Sequence, residues 1–477
     1  IRNSNGFNCS YNTVTSSVGG VTAGTLNGIQ VQASSSVPTA TFTNNITFNS
    51  ISLKSGLATG AMNGITYPGG SASTTSISNI NNNDFNNFGH TVAASGAIIF
   101  ITTASTNLTT SISNNTFTNM TVNTTGSVTF ISMSFTVTLV GGSKTVNGNS
   151  IVTGFSKTGA GGTVLLVTDN GSSSTVVQSN CTNNNFSNIT VTGATTFTGL
   201  NYTDGGTAPS RTVSGNTLNN WTGGTNAINC MNFTYWSGTT STLNSNTISN
   251  ITGQGIVTGI TIGNTVATAN PITVANNTVN NLSSTGVGGT VTGITCANNS
   301  PAVNLYGNTV NTLSSTGASL VSGITFSNGT ATNIFNNKVY DLSGTNASST
   351  VSGITISGGT INVFNNLVGD LRAINANAAN PVNGINITGG TTISLYNNSV
   401  NIAASSGGAL FGSSAVSAST SATVVLRNNI FYNTSTPSGA GIVAAYRRTT
   451  TTLTSYGASS NNNEFYAGTP SASNLLF

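Results

Sequence analysis

The sequence predicts an all-β fold: a single-domain parallel β-helix solenoid of about 14 coils of roughly 31 residues with a stacked asparagine ladder. Three observations lead there. A nine-residue phrase built on asparagine keeps returning, as VANNTVNNL at 274–282, LYGNTVNTL at 305–313 and IFNNKVYDL at 334–342. Its apolar positions alternate with a period of two, which is the signature of a strand. Charged residues make up 3% of the 477, where an ordinary soluble domain has about 25%.

The repeat comes first. Written as apolar-x-Asn-Asn-x-apolar-x-Asn-apolar, its second Asn recurs at Asn45, Asn83, Asn115, Asn149, Asn184, Asn216, Asn246, Asn277, Asn308, Asn337, Asn366, Asn398, Asn429 and Asn463, and the weaker copy SNGF puts Asn5 in the same register. A second phrase follows about half a period later: GITI at 259–262, GITC at 293–296, GITF at 323–326 and GITI at 353–356. In it Ile260 and Ile262 share one face and Thr261 points away. Val, Ile, Phe and Thr suit strands, and Gly, Ser, Thr and Asn suit the turns between them. A propeller blade needs a longer period of about 40 residues, so one coil per copy fits best.

Stacked coils turn equivalent positions into columns at a spacing of about 4.8 Å. Ile112, Val146, Cys181 and Val213 begin one inward column, continued by Leu305, Ile334, Val363 and Leu395; Phe85, Phe117, Ile151 and Phe186 begin another. The Asn between the columns lies where the chain turns. Its amide bonds to its neighbours above and below as in cross-β ladders, and it tolerates a left-handed backbone, so one side chain is expected to meet both needs. Like charges stacked at that spacing repel, whereas Thr, Ser and Asn do not, which accounts for the missing charges. Residues 1–41 read as a first coil or cap, 42–466 as the repeats, and 467–477 as an end or a link to a further domain. The start at Ile1 reads as a mature or truncated product, and the unmarked termini read as a section of a larger protein.

Ten Lys/Arg against six Asp/Glu give a net charge of +4. They are scattered, so the basic balance is not a nucleic-acid surface, and no apolar run approaches the roughly 18 residues of a membrane helix.

The carboxylates are Asp84, Asp169, Asp204, Asp341, Asp370 and Glu464. Asp341 and Asp370 hold the same repeat position on adjacent coils, where Asn188, Asn220, Asn250 and Asn281 stand elsewhere. A pair about 5 Å apart is the spacing of a retaining glycosidase, or of a calcium site. The plainer reading has Asp replacing Asn as a turn acceptor, with Arg372 offsetting a charge. Tyr306, Phe335, Phe364 and Tyr396 follow inward residues on consecutive coils and are predicted to form an outward aromatic stripe, either a surface for glycans or protein, or stacked rings stabilising the sheet. His90, the one histidine, reads as a surface residue. Cys9, Cys181, Cys230 and Cys296 read as free thiols, with Cys230 and Cys296 both in the slot of Ile262. No metal-ligand or cofactor motif is present in the sequence, so no cofactor and no metal are expected.

The repeated NN-x-[FV]-x-N-[LI] together with GITI resembles the parallel β-helix repeats of secreted bacterial proteins. The segment LRNNIFYNTSTPSGAGIVAAYRRTT, with SSNNNEFYAGTPSASNLLF after it, resembles the large adhesin-like surface proteins of Bacteroidota that leave by the type IX route. The resemblance implies a right-handed coil and an extracellular or cell-surface location. The functional expectation is a non-enzymatic stalk or adhesive surface, with glycans, other cell-surface proteins or copies of itself as partners. The alternative is a carbohydrate-active β-helix enzyme, a polysaccharide lyase or glycoside hydrolase, with a minimal site at Asp341, Asp370 and Arg372.

Overall fold

The computed structural model describes residues 6–16, 24–32, 41–68, 76–104, 106–137, 140–171, 173, 176–203, 210–234, 241–264, 272–298, 302–329, 331–449, 451 and 453–477. Among them there is no helix. The chain divides into two compact units, Ile1–Thr247 and Ile248–Phe477. Each is a parallel β-solenoid whose turns contribute one segment to each of three sheets. The first sheet takes the residues before the Asn pair, the second those after it, and the third the GIT phrase.

The registers place like on like. In the first unit Ile112 pairs with Val146, Val146 with Cys181 and Cys181 with Val213. In the second, Leu305, Ile334, Val363, Leu395 and Leu426 pair in succession across the first sheet. The second sheet there stacks Val279, Val310, Val339, Val368 and Val400, and the third stacks Ile294, Ile324, Ile354 and Ile385. All of these side chains are fully or almost fully buried. Each turn therefore adds the same apolar cross-section to the core, with about 1.5–3 kcal/mol of transfer free energy per buried aliphatic side chain.

The third sheet carries a glycine at its centre because two other elements claim the space. A Cβ on Gly293 would lie 2.4 Å from Val310 Cγ1 and 2.6 Å from the Gly323 carbonyl, and one on Gly323 would lie 2.3 Å from Val339 Cγ1. Where the first unit instead has Phe100 and Phe130 on this strand, the core is a cluster of rings: Phe100 lies 5.4 Å from Phe117 and 4.8 Å from Phe130.

The predicted ladder is present, with a corrected division of labour. Each ladder Asn accepts at Oδ1 from both the backbone N–H and the side-chain Nδ2 of the Asn one turn earlier. This links Asn83 to Asn115, Asn115 to Asn149, Asn149 to Asn184, Asn184 to Asn216 and Asn216 to Asn246 in the first unit. In the second unit it links Asn277, Asn308, Asn337, Asn366, Asn398, Asn429 and Asn463. The left-handed backbone belongs to the residue before it: Asn82, Asn114, Asn183, Asn276, Asn336, Asn365, Asn397 and Asn428 have φ between 53° and 58°. One Asn turns the chain and the next satisfies the turn, so the pair shares what the sequence reading gave to one residue. Gly148, Gly215 and Gly307 take the turning place where the pair is incomplete.

Two further points differ from the sequence reading. Asn45 is not a ladder residue; it lies on the outer face of the first sheet, where its Nδ2 donates to Asn8 and Asn79 donates to it. The ladder instead begins Asn12, Asn49, Asn83. In those turns Tyr11 and Phe48 occupy the turning place, with φ of 61° and 57°, and their rings stack at 4.9 Å. The missing Asn pair in YNT and FNS hid the register. Asn5 lies outside the described residues.

Candidate functional site

Asp341 and Asp370 lie in the second unit, at a second corner that bends the second-sheet strands from Thr247–Gly253 to Leu367–Ala373. They have φ of 57° and 49°, and Asn250 and Asn281 hold the same place with φ of 57° and 52°. The Asp residues thus do occupy an Asn-type turning position, which short polar side chains tolerate. Arg372, two residues beyond Asp370, reaches both carboxylates. Its Nη1 donates to Asp370 Oδ1 and Oδ2 at 2.8 and 3.0 Å, and its Nη2 donates to Asp341 Oδ1. Thr312 Oγ1, one turn earlier, donates to Asp341 Oδ2 at 2.9 Å. The sequence reads Arg372 as offsetting one charge; its guanidinium contacts both carboxylates, and the three side chains together keep one negative charge. A retaining hydrolase needs one carboxylate free as nucleophile and one able to give a proton, and here both are committed to one guanidinium at an open surface.

The other described carboxylates are engaged as well. Asp84 Oδ1 accepts from Thr116 and Thr118, Glu464 accepts from Tyr432, and Asp169 is paired inside the core. Among the described residues no cluster of three or more His, Cys, Asp or Glu is arranged to hold a metal ion. Asp204 lies outside the described residues.

The predicted aromatic stripe forms on the outer face of the first sheet. Tyr306 stacks on Phe335 at 4.7 Å and 14°, and Phe335 on Phe364 at 4.7 Å and 4°. Arg427 Cζ stands 5.9 Å above the Tyr396 ring. Beside the rings runs an amide column, with Asn333 donating to Asn304 and Asn362 to Asn333. Rings packed face to face at the sheet spacing show their edges to solvent, whereas a sugar stacks on a ring face. A shallow depression of ≈ 310 Å³ opens at Phe364, Tyr396, Asn362 and Asn397, beyond the stacked run.

No family model, no curated protein and no solved structure matches the chain.

His90 and Cys230 correct the sequence reading. His90 is buried, not at the surface: it is 6% exposed and pairs with Ser55 at an inward position of the second sheet. Burial pushes its pKa down, against the opposing influence of the Leu57 and Gly96 backbone. After the break at Asn87 the chain pairs again as the short strand Gly89–His90, with His90 opposite inward Ser55. Cys296 does pair with Ile262. Cys230 does not hold the equivalent slot; Phe233 pairs with Tyr202 there, and Cys230 stands opposite Gly199, in the glycine column. All four cysteines are free, and all but Cys9 are buried.

The sequence reading missed the charges inside the first unit. Lys144 Nζ bonds Asp169 Oδ1 and Oδ2 at 2.9 and 3.2 Å and the Gly171 carbonyl at 3.1 Å, and lies 4.6 Å from the centre of the Phe135 ring. Both charged side chains are wholly buried. Arg211, also buried, lies over the Tyr202 ring at 4.8 Å, and burial pushes the Tyr202 phenol far up. The signal was available. Lys144 and Arg211 stand two residues before inward Val146 and Val213, so alternation alone turns them inward.

Proposed function

We propose that the chain is a non-enzymatic structural and adhesive β-solenoid, working outside the cell as a stalk or binding surface of a larger cell-surface protein. The observation that carries this reading is the commitment of every described carboxylate to a neighbouring side chain, most plainly the two-Asp fork on Arg372. The carbohydrate-active alternative needs a carboxyl poised to give or take a proton, and an acceptor already paired with a guanidinium across adjacent turns is suited to holding turns together. The outer faces offer amides, hydroxyls and a few rings, which suit weak contacts to glycans or to other chains. The resemblance to type IX secreted surface proteins of Bacteroidota extends the same reading to the compartment.

The test has two arms. The purified chain is incubated with a panel of polysaccharides, and release of reducing ends or unsaturated products is followed; no turnover is expected. The immobilised chain is then offered glycans and a second copy of itself, and measurable binding to one of them is expected. Turnover that vanishes in Asp341→Ala would replace this reading with the enzymatic one, and silence in both binding assays would remove the adhesive part.

A further inference from the structure

The first unit has a polar groove that the ladder logic does not explain. In three successive turns the strand after the Asn pair is broken in two: Asp84–Asn86 with Gly89–His90, Thr116–Thr118 with Met120–Val122, and Ser150–Ile151 with Phe155–Lys157. The next turn runs unbroken as Asn185–Val191. The breaks occur at Asn87 and Asn119, with φ of 52° and 54°, and at Gly154, with φ of 108°. Stacked, they line a groove of ≈ 680 Å³, within the range of ordinary ligand sites.

The turn at 150–157 carries one residue too many at this corner. Ile151 pairs with Phe117 and Phe155 with Met120, so four steps of chain stand opposite three. Such an insertion behaves as a β-bulge, re-aiming the side chains next to it. Its effect is visible in the amides. At the same corner in the unbroken turns Asn220 Nδ2 donates to Asn188 Oδ1 at 2.7 Å, and in the second unit Asn281 donates to Asn250 at 2.6 Å. Asn87 and Asn119 are exposed and their side-chain amides are tied to no described residue. Thr153 Oγ1 instead takes the Asn119 backbone N–H at 2.7 Å. Two amides that would be expected to close on each other are held open, facing the groove.

The rest of the lining has the same character. Thr121, Ser156 and Thr190 present hydroxyls in register on successive turns, above a floor of buried Met120 and Phe155. Lys54 stands at one end and forms no ion pair among the described residues. Asp84, on the neighbouring turn of the same sheet, is held by Thr116 and Thr118 and does not line the groove. The row of Lys54 and the row of Asn188 are separated by four turns, about 19 Å at the strand spacing. Free amides, hydroxyls and an apolar floor in an elongated groove match the alternating hydroxyls and C–H faces of a sugar chain. A lone cation with no acidic partner matches a carboxylate on that chain.

We propose that this groove binds an acidic glycan, a uronate-bearing oligosaccharide laid along the stacked turns, with Asn87 and Asn119 bonding its hydroxyls and Lys54 its carboxylate. The proposal deepens the adhesive reading above and rests on it, but it places the binding surface here and not on the aromatic stripe.

The test uses the whole chain and calorimetric titration with alginate oligosaccharides, the same oligosaccharides after carboxyl reduction, and dextran oligosaccharides. Alginate is expected to bind, more weakly as salt is raised, and the reduced and neutral sugars to bind at least about tenfold more weakly. Lys54→Met and the double variant Asn87→Ala/Asn119→Ala are each expected to weaken alginate by about tenfold, with unchanged melting temperature. Phe364→Ala, in the other unit, is expected to leave it unchanged. Absence of alginate binding, equal binding of the carboxyl-reduced form, or full affinity in the groove variants would each overturn the proposal. Glycan binding that survives the groove variants but is lost in Phe364→Ala would move the site to the stripe and leave the adhesive reading standing.

Discussion

The side-chain Oδ1 of Asn337 accepts two hydrogen bonds from Asn308, one from its backbone N–H and one from its Nδ2, both at 3.0 Å. Asn337 then uses its own Nδ2 to reach forward to Asn366 and back to the Leu305 carbonyl. One amide thus joins three turns, and it is 1% exposed. Asn337→Leu strips the buried Asn308 N–H of its partner, takes the side-chain donor from the Leu305 carbonyl, and removes one bond each from Asn308 Nδ2 and Asn366 Oδ1, at about 1–3 kcal/mol for each group that water cannot reach. We expect a loss of about 3–5 kcal/mol in chemical denaturation. Asn336, its exposed neighbour with φ of 54°, has the other task. Asn336→Gly is expected to stay within about 0.5 kcal/mol of the parent and Asn336→Val to cost about 1–2 kcal/mol. Equal costs at the two positions would refute the division of labour.

The glycine of the third sheet gives an independent test of close packing. A Cβ at Gly323 meets Val339 Cγ1 at 2.3 Å and the Gly353 carbonyl at 2.6 Å. Gly323→Ala is expected to destabilise by about 1–3 kcal/mol. Since part of the clash is with one methyl group, the double variant Gly323→Ala/Val339→Ala is expected to cost less than the sum of the two single changes, by about 1 kcal/mol in a double-mutant cycle. Strict additivity would mean that the backbone contact alone excludes the side chain.

These two positions also show what the sequence could and could not reveal. The columns were legible because period-two alternation and a fixed coil length leave no freedom once turns stack: Leu305, Ile334 and Val363 had to pair, and do. Asp341 and Asp370 were legible as Asn substitutes for the same reason. Asn49 was not, because the motif was read from an Asn pair and Phe48 takes the first place. His90 reads as a surface residue because NNFG before it looks like the end of a strand; the chain instead resumes pairing after the break at Asn87, as Gly89–His90 against Lys54–Ser55, with His90 inward. The groove was invisible for a related reason: one extra residue between Ile151 and Phe155 shows only when the paired turn is laid beside it.

Thiol chemistry tests the cysteine assignments. Burial pushes Cys181 and Cys296 up to about 12 and raises Cys230 further, so none offers thiolate near neutral pH. Cys9 is only half-buried. Titration of the folded chain with a chromogenic disulfide at pH 8 is expected to count one thiol, lost in Cys9→Ser, and titration in denaturant to count four. A second fast thiol in the folded chain would contradict the burial of Cys181, Cys230 or Cys296.

Lys157 makes stability depend on pH. It holds an inward place in register with Val122 and Val191, and its Nζ donates to the Gly159 and Gly161 carbonyls at 2.5 and 2.7 Å. Burial lowers its pKa to about 8, from an ordinary value of 10.5. Between those values the unfolded chain holds a proton that the folded chain has released, so raising the pH there favours folding; below pH 8 both states are protonated and the full penalty for the charge is present. Buried Tyr202 and Cys181 act in the opposite sense at high pH, since folding raises their pKa values, and the comparison must therefore be with a variant that differs at Lys157 alone. In Lys157→Met the penalty is absent at every pH. Its advantage in melting temperature over the parent is expected to be largest below pH 8 and to shrink steadily toward pH 10. A constant difference between the two proteins across that window would mean that the two carbonyls hold the proton as firmly as water does.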